Sequence, residues 1–66
     1  MRNTELEMEE AFFDLLERLG RDNQNYDIWL EYMSLGNWVI VVEDINDSRR
    51  RRILRSVKEA KEFDRL

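Results

Sequence analysis

Four consecutive arginines, Arg49-Arg50-Arg51-Arg52, with Arg55 close behind, are the residues of this chain best equipped for recognition chemistry. A guanidinium is permanently charged, and its planar fork matches a carboxylate or phosphate through two parallel hydrogen bonds. Reactive chemistry is much harder to find. The chain has no histidine and no cysteine, so a nucleophile or base has to come from serine, tyrosine, lysine or a carboxylate. Ser34, Ser48 and Ser56 stand in no triad-like context. Glu43 and Asp44 are neighbours, and neighbouring strand residues point to opposite faces, which keeps them from working as an acid–base couple. Asp44-Ile45-Asn46-Asp47 carries oxygen ligands but lacks the glycine and distal glutamate of a calcium loop, so it reads as a turn with capping residues. The expectation is a non-enzymatic chain with no cofactor and no metal.

Charge is distributed unevenly along the chain. Residues 1–47 carry three basic and twelve acidic side chains, a net of −9, whereas residues 48–66 carry eight basic and three acidic, a net of +5. Two-sided charge of this kind directs contact with another protein, a second copy or a polyanion. The total of −4 and a pI near 4.8 weigh against a dedicated nucleic-acid binder, whose potential is basic across the domain. Glu5, Glu7, Glu9, Glu10, Asp14 and Glu17 read as the solvated face of a helix.

A chain of 66 residues has room for one domain, here taken as 1–66, with about 60% of its unfolded surface buried on folding. Such a domain is marginal alone, and without cysteine it has no disulfides to help, which makes self-association an expected remedy. The cysteine-free composition fits a reducing, cytoplasmic setting. No apolar run approaches the roughly 20 residues needed to span a bilayer, and the chain starts acidic where a secretory leader is basic and then apolar. Membrane contact is therefore not expected.

The elements that must position these residues follow from periodicity. Met8, Phe12, Leu15 and Leu19 recur at helical spacing, widened by Leu6, Ala11, Phe13 and Leu16. Thr4 with Glu7 forms a capping-box pattern and Gly20 a left-handed stop, so a helix is predicted over 4–19. From Tyr26 to Asp44 two strands and a turn fit best, with a rival reading of 27–35 as a short helix. A three-residue loop at Ser34-Leu35-Gly36 pairs Met33 with Asn37, Tyr32 with Trp38, Leu30 with Ile40 and Ile28 with Val42. One face then holds Tyr26, Ile28, Leu30, Tyr32, Trp38, Ile40 and Val42 as the floor of the core. The other holds Trp29, Met33, Val39 and Val41 among polar neighbours, an apolar patch of the kind that marks interfaces.

Asn46, Asp47 and Ser48 read as turn and cap residues before a second helix over 48–64, with Ile53, Val57 and Ala60 on its inner side. In that position the arginine run opposes the helix dipole, and an anion at the helix start, or pairing with Asp44, Asp47 or the glutamates of the first helix, is needed to offset it. The resulting fold class is α+β, in the order helix, strand, strand, helix. Both helices lie on one face of a two-stranded hairpin, and two hairpins join into a four-stranded sheet in a homodimer.

The function expected is a small inhibitor or adaptor that binds a protein partner with an acidic patch. Trp29, Met33, Val39 and Val41 anchor it, and Arg49, Arg50, Arg51, Arg52 and Arg55 orient it. The alternative is direct RNA or DNA binding through the arginine-rich helix.

Overall fold

The computed structural model describes Thr4–Leu66. Its elements run α1 (Glu5–Leu19), a 3₁₀ stretch (Gly20–Asn25), β1 (Tyr26–Ser34), β2 (Asn37–Asp44), β3 (Asp47–Leu54) and α2 (Val57–Glu62). The fold is a small α+β domain, but it has three strands where two were expected. The sheet is an antiparallel meander in the order β1-β2-β3.

Helix α1 begins and ends where its residue types dictate. The Thr4 hydroxyl accepts the Glu7 N–H at 3.3 Å, and Glu5 and Glu7 place negative charge in the first turn, where it complements the helix dipole. Gly20 takes φ 56° and donates its N–H to Leu16, closing the helix with a conformation that L-residues resist. Met8, Ala11 and Leu15, on one stripe, are buried.

The β1–β2 register agrees with the expected alternation from Tyr26↔Asp44 to Tyr32↔Trp38, and the rival helix over 27–35 is not formed. The loop differs by one residue. Ser34 pairs with Asn37, so Met33 sits at a register shift and does not face Asn37. The turn proper is Leu35-Gly36, with φ values of 51° and 80°. Two successive positive φ values are the signature of the tight hairpin turn whose twist matches the strands.

The predicted second helix over 48–64 is replaced by a strand, a bend and one short helix. Val41 pairs with Ile53, Val42 with Arg52 and Glu43 with Arg51, which puts the arginine run on a strand. The dipole conflict therefore does not arise. Arginine and leucine are good helix formers, but local propensity is overridden by the gain from pairing a second neighbour to β2. Val39 to Val42 are all buried, and a strand this apolar needs partners on both edges. Leu54 is fully buried opposite Ile40. A new cap at Ser56, whose hydroxyl accepts the Glu59 N–H at 3.1 Å, starts α2 eight residues later than expected for a helix beginning at Arg49.

Both helices cover the same sheet face. Met8, Ala11 and Leu15 of α1, Ile40, Val42 and Leu54 of the sheet, and Ala60 and Phe63 around α2 form one core, flanked by Phe12, Ile28, Leu30 and Trp38. Arg18 ties the helices together. Its Nη2 donates to the Ala60 carbonyl at 2.7 Å and its Nη1 to the Phe63 carbonyl at 3.2 Å, while its Nε pairs with Asp14 at 2.9 Å. Two carbonyls at the C-terminal end of α2 thus gain a charged donor, that of Ala60 in addition to the Phe63 N–H it accepts at 3.3 Å.

Candidate functional site

The sheet face turned away from the helices is organised in rows across the strands. One row runs Trp29–Val41–Ile53, and the next runs Asp27–Glu43–Arg51. Beyond the first row, Glu31 stands opposite Val39. Among the described residues no element covers this face. Trp29 is half-buried and directs its indole N–H to Glu31 Oε1 at 3.3 Å.

The expected apolar patch is only partly open. Val39 and Val41 are 3% and 2% exposed, because a central strand is shielded by the larger side chains of its neighbours. Val41 lies between Trp29 and Ile53, and Val39 beside Glu31. They form a floor beneath the surface. Met33 is exposed, at the register shift beside the hairpin turn. Ile53 completes the apolar row, whereas its spacing in the sequence predicts the inner side of a helix. The signal that places it here is the match of Glu43 and Asp44 with the arginines across a short turn.

The arginine run does not share one face. Arg51 lies on the open face and pairs with Glu43, whereas Arg52, opposite Val42, places its guanidinium 6.0 Å from the centre of the Phe63 ring. That distance suits a cation–π contact. Arg49 pairs with Asp47 at 3.2 Å and Arg50 with Asp44 at 3.8 Å. The internal pairing expected with Asp44 and Asp47 is present, and Glu43 joins it. The backbone N–H of Arg55 donates to the Glu59 carboxylate just before α2.

The ladder beside the arginine run is irregular. Glu43 pairs with Arg51 but Asp44 with Asp47, so Ser48, Arg49 and Arg50 fall outside the regular register. Such a bulge bends its strand and re-aims side chains. Arg49 to Arg52, with Leu66, border an open concavity of about 250 Å³. A second hollow of about 460 Å³ lies between the helices, lined by Glu7, Glu10, Ala11, Asp14, Val57 and Lys61.

Asp44 and Asp47 act as turn residues. Asp44 Oδ1 accepts the Asn46 N–H at 2.8 Å, and Asp47 Oδ1 accepts the Arg49 N–H at 3.0 Å, the local bonding these short side chains favour. Among the described residues no group of three or more acidic side chains is placed to hold a metal ion, and no helix is long and apolar enough to cross a membrane. No protein-family model, curated protein or solved structure matches the chain.

Proposed function

We propose that this chain is a non-enzymatic protein-binding module, a small inhibitor or adaptor, that docks on an acidic patch of its partner through the open sheet face. The observation that carries this reading is the Trp29–Val41–Ile53 row, an apolar band crossing all three strands on the face that neither helix covers. A half-buried tryptophan on a packed floor is a suitable anchor, since large rigid aromatics contribute most of the affinity at protein interfaces. Met33 extends the contact towards the hairpin end.

Arg51 borders the apolar band, and Arg49, Arg50 and Arg55 lie along the same edge region of the chain. Each pair that Arg49, Arg50 and Arg51 make with Asp47, Asp44 and Glu43 engages one nitrogen of a five-donor fork. The guanidinium groups are thereby oriented yet remain half or more exposed. Partner carboxylates that share them set the approach and register more than the affinity. The cysteine-free composition fits a cytoplasmic, reducing setting. Self-association belongs to the same reading, as a homodimer joined through a sheet edge; the third strand makes six strands of the four expected from two hairpins.

The test is recovery of partners by tagged protein from its native cells, with and without nuclease, compared for wild type, Trp29→Ala and the double variant Arg50→Ala/Arg51→Ala. A stoichiometric, nuclease-resistant protein lost with Trp29→Ala is the expected result. Recovery that vanishes with nuclease, falls with the arginine variant and ignores Trp29→Ala replaces this function with polyanion binding along β3.

A further inference from the structure

The two edges of the sheet are unlike. The β3 edge carries Arg49 to Arg52 and an irregular stretch over 48–50, the two devices by which natural sheets discourage pairing with another chain. The β1 edge is less guarded: its charges are Asp27 and Glu31 alone, and its one irregularity lies at its end, between Tyr32 and Ser34. Its nine residues, Tyr26–Ser34, contain no lysine, arginine or proline, and their register is regular up to Tyr32. No strand among the described residues pairs with that edge. None of its residues is buried, although Ile28, Trp29 and Leu30 are apolar, whereas β2 buries four of eight.

A strand with open donors and acceptors on one side and half-covered apolar residues on both faces is a pairing surface. We propose that β1 pairs antiparallel with β1 of a second copy, across a two-fold axis at Leu30, to make one continuous six-stranded sheet. This rests on the self-association included in the proposed function, and it names the edge and the register.

The charges select that register. A two-fold axis normal to the sheet pairs residues of the same face, so the paired numbers sum to an even value. Axes one residue to either side of Leu30 place Asp27 opposite Glu31 or Glu31 opposite itself. Directly opposed like charges destabilise a sheet. An axis at Leu30 avoids both contacts and gives the longest overlap. It sets Ile28 opposite Tyr32 and Leu30 opposite its own copy on the helix-covered face. On the open face it sets Trp29 opposite Glu31. The apolar flank of the core at Ile28 and Leu30 then gains a symmetric neighbour.

Because the natural chain lacks cysteine, single substitutions report the register directly. Opposed residues of an antiparallel pair have Cα atoms about 4.5–5.5 Å apart, within the span of a disulfide. Leu30→Cys is expected to form a covalent dimer under mild oxidation. Ile28→Cys, whose copies lie four residues out of register, is not. Sedimentation of the wild type is expected to show a dimer that dissociates on dilution.

Trp29→Glu creates two like-charge contacts with Glu31 and is expected to weaken the dimer at least about tenfold relative to Trp29→Lys. The pair compares two equally polar replacements, so loss of the tryptophan itself cancels. A wild type that stays monomeric at millimolar concentration overturns the inference. Preferential cross-linking at Ile28, or equal dissociation of the two Trp29 variants, does so too. A wild type that is monomeric but still recovers its partner sinks the β1 pairing and leaves the docking face standing. A dimer with no recoverable partner does the reverse.

Discussion

Arg18→Met tests the link between the two helices. The substitution keeps an unbranched stem with similar helix propensity, so the change falls on the guanidinium. Two hydrogen bonds from that group reach the Ala60 and Phe63 carbonyls at 2.7 and 3.2 Å. A hydrogen bond to a charged group contributes about 1.5–3 kcal/mol when shielded. The Arg18 side chain is 37% exposed, so water replaces part of what is lost and each bond is worth about 1 kcal/mol. The expected loss is about 2 kcal/mol in all, close to a 14 °C fall in melting temperature for a domain of this size.

Arg18→Lys retains the charge but lacks the fork, and is expected to lose about half as much. Asp14→Asn removes only the exposed pair within α1, worth about 0.3–0.5 kcal/mol. Urea unfolding followed by tryptophan fluorescence, at one fixed chain concentration because association adds to apparent stability, gives all three values. An Arg18→Met variant within about 0.5 kcal/mol of the parent, or equal to Asp14→Asn, refutes the view that the guanidinium joins the helices.

Leu35 holds a left-handed φ of 51° while 77% exposed, so Leu35→Asn is expected to stabilise by about 0.5–1 kcal/mol, read as a higher urea midpoint at unchanged slope. Ser56→Ala removes the cap of a six-residue helix and is expected to cost about 1 kcal/mol; Ser48→Ala, at the start of the helix predicted from sequence, is expected to cost far less in the same titration. Leu54→Ala empties a fully buried site and is expected to cost about 2–5 kcal/mol, enough to leave a small domain largely unfolded by circular dichroism at room temperature.

The first helix and most of the hairpin were legible because several independent signals agreed. Thr4, Glu7 and Gly20 mark the ends of α1, and its apolar stripe has one period. Alternation over 26–32 and 38–42 determines which face each residue takes, since a slip of one residue would invert every side chain. Leu35 disguised the tight turn, because leucine is not a residue that favours positive φ. The third strand was hidden for a different reason: four identical charged residues show no alternation, and their propensity favours helix. Ser56 with Glu59 repeats the Ser/Thr-x-x-Glu pattern of Thr4 and Glu7 and marks the true helix start. Of the candidate anchors, Trp29 faces the open side as expected. Val39 and Val41 lie beneath it, because flanking a central strand on both edges is a property of the whole sheet that two strands alone do not convey.

The meander has a kinetic consequence. Each strand pairs with its immediate neighbour in the chain, so the sheet assembles through short loop closures that cost little entropy. The Arg18–Phe63 bond joins residues 45 apart, so on closure entropy it is expected to form late, when the chain's two helices meet. Interactions made after the transition state slow unfolding without changing the folding rate. Arg18 is then expected to act as a latch on a sheet that has already formed: in a chevron plot its removal should raise the unfolding arm and leave the folding arm in place.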